Sequence, residues 1–332
     1  MELSIIIINY KSNQLVVDCI QSIYKQNATF SYEIIVIDNH SEDESREKIT
    51  GLFPGVLWKE MAYNSGFARA NNEGIRSAKG AAVLLLNPDT IIENNAIEKC
   101  YRLLDSSQYV ACGVQLLNDD RTPQISGNYA MKGGLNYLLP LPFLGNALKF
   151  IAAIFSVKKP NVAEAAGTVE VDWINGAFLM AKQTAIKKAG LMDEDFFLYS
   201  EEAEWCSRLK KAGKLCIYGD IKIIHLQGET SNETFGSSGK GYFNLFDRKG
   251  LQIMLSNLVR IRKEFGNAWF LFILFVYASE IPVFFIGVLI SKIFFSNKYS
   301  FLQAKNYAAN VFKIIKLSPT IIRNRPYFYK VL

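Results

Sequence analysis

In the first part of the chain, short apolar β-branched runs alternate with longer amphipathic stretches. Residues 3–8, 33–38, 56–59 and 81–86 read as strands, and 13–26, 42–49 and 66–78 between them as helices. The runs IIII and IIVI show no in/out alternation, as expected of strands covered on both faces. This pattern predicts an α/β fold on a mainly parallel, doubly wound sheet. Turn-forming residues stand at the strand ends: Asn9, Asp38-Asn39 and Asn87-Pro88-Asp89.

The pattern changes at 135–157, an apolar stretch with two prolines, which reads either as a buried helical insertion or as a lipid-touching surface. Strand patterns resume at 168–173 and 176–181, a helix is expected over 201–212, and strands near 215–217 and 221–225. Residues 229–241 are polar and rich in Gly and Ser, so a loop or lid is expected there. A basic amphipathic stretch, 248–263, precedes an apolar run, 268–295. Two regions follow: an α/β domain at 1–235 carrying the insertion 135–160, and a helical membrane-associating region at 236–332.

Half of the 332 residues are hydrophobic and 20% are charged, which excludes a disordered chain. The net charge of +6 is concentrated at the end, where Lys298, Lys305, Lys313, Lys316, Arg323, Arg325 and Lys330 occur without an acid. Next to an apolar run, such a tail points to anionic lipid rather than nucleic acid. Five cysteines without a CxxC pair argue for a reduced, cytosolic setting. Met1 leads within two residues into a strand, so no cleaved leader is expected.

Open α/β sheets bind ligands beyond the carboxyl ends of their strands. Asp38 stands there and can accept hydrogen bonds from a base or ribose, while Ser41 and Glu44 form a capping-box pattern for the next helix. Asp89 ends a buried apolar run, where a carboxylate needs a partner such as a hard cation, or serves as a plain turn residue. Asn64-Ser65-Gly66-Phe67 opens a helix that continues through Asn71, and a helix start with Gly suits an anion. No G-x-G-x-x-G or P-loop is present. Glu201 and Glu202 are adjacent, so on a helix they point ~100° apart and only one faces a given cleft. Glu204 and Arg208 have the spacing of a surface ion pair. His225 ends a strand, as a metal ligand or a core histidine.

The order of SIIIINYKS, IVIDNHSEDES, NSGFARANNEGIRSAKG, VLLLNPDT, VDWINGAFLMAK, GLMDEDFFLYSEEAEWCSRLKKAGK and IIHLQGETS resembles the family 2 glycosyltransferases, in their bacterial rhamnosyltransferase-like branch, over about residues 1–235. The resemblance implies a GT-A fold, a nucleoside-diphosphate sugar donor and an inverting displacement. It implies donor contacts at Asn9, Asp38, Asn39, Asn64, Gly66, Phe67, Asn71, Asn87 and Asp89, and sugar or acceptor contacts at Trp173, Asn175, Gly176 and Ala177. Asn87-Pro88-Asp89 takes the place of the family's DXD element, so Asp89 and His225 are the implied ligands of a divalent metal, Mg2+ or Mn2+. Glu201–Glu202 matches the family's acidic pair, with Glu202 favoured as the base. dTDP-rhamnose is the first expectation for the donor, and a polyprenyl-diphosphate-linked glycan for the acceptor.

The competing classes are a nucleotidyltransferase, disfavoured because residues 9–14 contain no Gly and a single Lys, and a membrane-tethered binding module. Cys206–Leu209 reads CSRL rather than the Q-x-x-R-W of processive synthases. The run 268–295 is long enough for one crossing, which takes ~20 residues. Glu280 and Pro282 interrupt it, and basic residues (Arg248, Lys249, Arg260, Arg262 and Lys263 before it, the tail after it) flank both ends. A re-entrant or interfacial helix pair at the cytoplasmic face of the membrane is therefore expected. A buried hairpin or a homodimer interface is the alternative.

Overall fold

The computed structural model describes residues 1–129, 135–157, 160–227, 230–237, 244–293 and 299–331. The chain forms two units: Met1–Met131, Pro160–Phe197 and Glu201–Thr230 in the first, and Lys132–Lys159, Leu198–Ser200 and Ser231–Leu332 in the second. The apolar stretch at 135–157 thus groups with the C-terminal helices.

The first unit begins with β1 (Leu3–Asn9), α1 (Asn13–Tyr24), β2 (Tyr32–Asp38), α2 (Ser45–Leu52), β3 (Leu57–Glu60), α3 (Gly66–Ser77), β4 (Ala82–Leu86) and β5 (Thr90–Ile91). Then come α4 (Ala96–Ser106), β6 (Ala111–Leu117) and β7 (Gly127–Asn128). The chain leaves for the second unit, forms α5 (Leu144–Ile154), and returns as β8 (Asn161–Val162), β9 (Thr168–Val171), β10 (Trp173–Ile174), β11 (Phe178–Lys182), α6 (Gln183–Ala189), α7 (Glu201–Leu209) and β12 (Leu215–His225).

The main sheet has the order β3-β2-β1-β4-β11-β6-β12-β5, with β9 beside β12, and β10-β7-β8 form a small second sheet. The strands β3, β2, β1 and β4 are mutually parallel. The next strand, β11, runs antiparallel to both β4 and β6, while β12 is parallel to β6. Ile5, Ile6, Ile7 and Val36 are fully buried because helices cover both faces. One face packs α1 and α4 residues such as Val16, Ile20, Ile97 and Leu104; the other packs α3 and α7 residues such as Ala68, Ile75, Trp205 and Leu209.

One local expectation is corrected. The pair of strands expected at 215–217 and 221–225 is one strand, β12, whose register shifts between Tyr218 and Lys222. Gly219 sits at this irregularity, where an added Cβ would lie 2.4 Å from the Ala165 backbone. The strand β6 and helix α4 lacked a prediction. In β6, Gly113 leaves room for Ile174, whose Cγ2 would be 2.6 Å from an added Cβ. Gln115 is buried in the same strand with its amide satisfied by Leu116 O, Gln124 O and Ala165 N.

The second unit contains α5, α8 (Thr230–Phe235), α9 (Arg248–Ile293) and α10 (Phe301–Arg323). The loop expected at 229–241 falls partly outside the described residues, and its described part includes α8. A left-handed Gly266 (φ 85°) breaks α9 into two arms. The first arm buries Leu251, Met254, Leu255, Leu258 and Ile261. It also gives internal partners to three basic residues of the flank that was expected to meet lipid, while Arg248 is exposed. Arg260 is 1% exposed and paired with Glu264 at 2.6 Å and with the Tyr137 hydroxyl; Lys249 donates to Asn232 Oδ1 at 2.8 Å, and Arg262 to Ile322 O at 2.9 Å. The physical reason is that buried cations take internal partners when desolvated. Of the tail, Lys298 lies outside the described residues, whereas Lys305, Lys313, Lys316, Arg323 and Arg325 are exposed on or just after α10.

The second arm of α9 holds Glu280, which is fully buried. Its carboxylate accepts from Phe143 N at 2.7 Å and Leu144 N at 3.0 Å, so it caps the start of α5. The charge in the middle of the apolar run therefore faces protein. Removing the carboxylate in Glu280→Ala should lower unfolding free energy by ~1–3 kcal/mol, the cost of orphaning buried N–H groups, with Glu280→Gln losing less. Denaturant midpoints measured in detergent check this; an alanine variant as stable as the parent would remove the cap from the account.

Candidate active site

The strand order reverses beside β1: β2 lies on one side and β4 on the other. Crevices at such reversals open beyond the carboxyl ends of the strands. Asn9 ends β1, Asp38 ends β2 and Asn87 follows β4, so the reversal gathers three sequence-predicted residues on one edge.

These residues hold one another. Asn9 is fully buried and donates to Asp38 Oδ1 at 2.7 Å and to Ser41 Oγ at 3.0 Å. The second oxygen of Asp38 accepts from Ser41 N at 3.0 Å. The capping-box expectation for Ser41 is thereby corrected. The helix α2 starts at Ser45, whose N–H donates to Asp43 Oδ1, while the Ser41 hydroxyl is held by Asn9 and Lys11 N. Beside Asp38 opens a cleft of about 280 Å³ lined by His40, Arg46, Trp58 and Met61 among others.

Asn39 carries the network to α3. Its oxygen accepts from Ser65 N and Ser65 Oγ, both at 2.8 Å, and its amide donates to Asn64 Oδ1 at 3.1 Å and Gly66 O at 3.3 Å. Gly66 has φ +75°, and an added Cβ would stand 2.1 Å from Phe197 O. Phe67 N donates to that same carbonyl at 2.8 Å. Asn71 is buried and turned back onto Phe67 O at 2.9 Å. Asn72, not singled out from the sequence, ties α3 to Met192 through both amide ends.

The acidic run before and within α7 is now divided. Burial opposes the charge on Glu194, but hydrogen bonds from Arg76 and Asn72 hold its carboxyl below the ordinary value. Glu204 and Arg208 form a bidentate pair at 2.7 and 2.6 Å, as their spacing predicted, but not at the surface. Glu204 is 6% exposed, and the Arg208 guanidinium also donates to Ala189 O and Leu191 O. Glu201 is buried at 3% exposure. Glu202 lies against Gly176, where an added Cβ would sit 3.5 Å from Glu202 Cγ and 3.9 Å from Phe67 Cε1.

The segment around Gly176 joins this region to β4. Asn175 is pinned to the strand-like loop by Ser126 O and Ile125 O, and its own oxygen accepts from Ala177 N. Ala177 O accepts from Asn87 N at 3.0 Å. Trp173 pairs with Asn128 across the small sheet, and its buried indole N–H has no hydrogen-bond partner among the described residues.

Asp89 and His225 meet because β5 pairs with β12, with Thr90 opposite His225. His225 Nε2 lies 3.5 Å from Asp89 Oδ1, and both side chains are 12% exposed. Gln124, which carried no sequence signal, bonds His225 Nδ1 at 2.8 Å. Beneath them, burial pushes the Cys19 thiol up to about 12, so Cys19 stays neutral. All five cysteines are buried and free. Among the described residues no group of three or more His, Cys, Asp or Glu could hold a metal ion. A carboxylate oxygen and an imidazole nitrogen on one edge fit a hard divalent cation only if substrate oxygens and water complete its shell. Asp89 and His225 supply two such donors.

Residues 4–161 match the family model described as Glycosyl transferase family 2. A low-salt glycan biosynthesis hexosyltransferase of Haloferax volcanii is 28% identical over 219 residues, covering 63% of this chain and 62% of the relative. A dTDP-rhamnosyl transferase of Shigella flexneri is 25% identical over 212 residues, covering 61% and 62%. The aligned part thus spans less than two thirds of either relative. A crystal structure of GalNAc-T7 with UDP, GalNAc and Mn2+ matches with a TM-score of 0.53 at 13% identity, over 79% of this chain and 48% of that one. This likeness is one of fold, and the fold is the GT-A arrangement.

The two glycines at the site should respond differently. Gly66→Ala forces a Cβ into a left-handed position against a main-chain oxygen and should cost more than ~2 kcal/mol. Gly176→Ala meets only ordinary contacts and should stay within about 1 kcal/mol of the parent. Thermal or denaturant unfolding of the two variants measures the contrast, and equal losses would refute the steric reading of Gly66.

Proposed function

With residues 4–161 belonging to glycosyl transferase family 2, we propose that this chain is an inverting glycosyltransferase that moves a sugar from a nucleoside-diphosphate donor to a glycan acceptor. The observation that carries it is the gathering of Asn9, Asp38 and Asn87 at the strand-order reversal, with Asp89 two residues beyond Asn87 and beside His225. The donor's nucleoside lies toward Asp38 and the neighbouring cleft, its diphosphate toward Asp89 and His225. The name of the Shigella relative supports rhamnose from dTDP-rhamnose as the first donor to test.

Glu202 is the base. The acceptor hydroxyl gives its proton to the Glu202 carboxylate as its oxygen bonds to the anomeric carbon, and the bond from that carbon to the diphosphate oxygen breaks on the opposite side. General-base help of this kind is worth ~10²–10⁴-fold. Gly176 places no side chain of its own against Glu202, and Glu201 is buried on the same helix. A divalent ion, Mg2+ or Mn2+, supplies charge neutralisation at the diphosphate when bound by Asp89 and His225.

The second unit is the anchor to a membrane surface at the cytoplasmic face, where a polyprenyl-linked acceptor would be met. Helix α9 is long and apolar enough to cross a membrane by length and composition. Apolar side chains stand exposed on α5 (Phe150, Ile154), next to it (Phe155), and on the second arm of α9 (Phe275, Ile286, Leu289, Ile293). Exposed lysines on α10 sit among exposed Leu302, Phe312 and Ile315. An apolar face bordered by cations suits the interface of an anionic bilayer.

Glu202→Gln should retain donor binding and lose at least ~10²-fold in turnover. Asp89→Ala should instead lose metal-stimulated transfer. Both are read with a panel of nucleotide sugars and a glycan-lipid acceptor, and a Glu202→Gln enzyme with parental turnover would refute the base. In flotation assays the full chain should bind phosphatidylglycerol vesicles more tightly than phosphatidylcholine vesicles, and replacing Phe155 and Phe275 by Ser should weaken binding to both. Equal recovery of the double variant would remove this face from the membrane reading.

A further inference from the structure

Gln124 takes no part in the proposed reaction, yet both ends of its side-chain amide are engaged. It is 6% exposed. Its amide nitrogen lies 2.6 Å from His225 O, 3.2 Å from Leu117 O and 2.8 Å from Asn118 Oδ1. Two of these partners are main-chain carbonyls, which can only accept. The amide orientation is therefore fixed, because the flipped side chain would press its oxygen against both carbonyls. The amide oxygen then faces His225 Nδ1 at 2.8 Å. An amide oxygen only accepts, so Nδ1 carries the proton, and in a neutral imidazole the other nitrogen, Nε2, keeps its lone pair. That lone pair stands 3.5 Å from Asp89 Oδ1. A neutral ring can therefore offer Nε2 together with Asp89 Oδ1 to one cation, whereas a protonated ring would pair with Asp89 directly.

We propose that Gln124 is a positioning residue that locks His225 in the Nδ1–H tautomer, so that Nε2 is presented beside Asp89 as a ligand for a divalent cation. The purpose of the lock rests on reading Asp89 and His225 as the metal pair; the lock itself does not. Ligating histidines generally donate their other N–H to a neighbouring acceptor, which sets the ring's orientation and its ligand atom. Here the acceptor is held in turn. The Gln124 main chain donates to Leu116 O at 2.8 Å and accepts from the buried Gln115 amide at 2.9 Å.

His40 and His225 are the chain's two histidines, so imidazole nitrogen NMR on the full-length protein resolves the tautomer directly. In metal-free protein His225 should show a protonated Nδ1 and an unprotonated Nε2. Gln124→Leu should lose that single tautomer and bind Mn2+ with dTDP about 10- to 100-fold more weakly, while the His40 signals and the amide spectrum report an intact fold. Mn2+ added with dTDP should broaden the His225 ring signals more strongly than those of His40, which lines the neighbouring cleft. An Nε2–H tautomer in the parent protein overturns the proposal without any variant. An unchanged tautomer and Mn2+ affinity in Gln124→Leu also overturns it. The expected tautomer with no broadening by Mn2+ would uphold the lock and overturn the metal reading.

Discussion

The pairing of β1 with β2 on one side and β4 on the other sets the positions of Asn9, Asp38 and Asn87. These strands are held in register by a ladder whose side chains are buried on both faces, so a one-residue slip would misplace a whole layer of isoleucines, valines and leucines. Because the register is fixed, Asn9 lands opposite Asp38 and the two side chains meet. Polar groups buried at that edge then have to satisfy one another. The result is a rigid chain of amide and carboxylate contacts running from Asn9 through Asp38 and Ser41, with Asn39 continuing it to Ser65. A site built this way gains pre-organisation from the sheet itself, and its loops need little independent stability.

The parallel half of the fold was legible because strands covered on both faces write continuous apolar runs. The strand β6 was not, since Gly113 and Gln115 interrupt its run for reasons of tertiary space and hydrogen bonding. The antiparallel insertion of β11 between β4 and β6 leaves no trace in a pattern of apolar residues either. At the site, Asp38, Gly66 and Asp89 stood out through their places at element ends. The Ser41 pattern misled because a capping signature is local, whereas Asn9, far back in the chain, claims the same hydroxyl. Gln124 could not be found at all: it belongs to a turn-rich segment, and its meaning comes from a histidine 101 positions away.

The second unit is a contrasting case of charge. Composition alone placed a costly carboxylate in the middle of an apolar run and basic residues on its flank. Glu280 is instead spent on the start of α5, and Arg260 on Glu264. What remains exposed includes apolar side chains of α5 and of the second arm of α9, with exposed cations at Lys149, Arg248 and Lys292 as well as along α10.

The two-residue strand β5 has a consequence for how the protein matures. Asp89 is made early in the chain and His225 only at the end of β12, so their meeting depends on the longest-range pairing of the main sheet. Long-range contacts close late because loop entropy must be overcome first. A nascent or partly folded chain can complete β1 through β4 and still lack the paired edge. Anything that binds at Asp89 and His225 together therefore selects finished molecules, and its binding energy adds to the stability of the completed sheet alone.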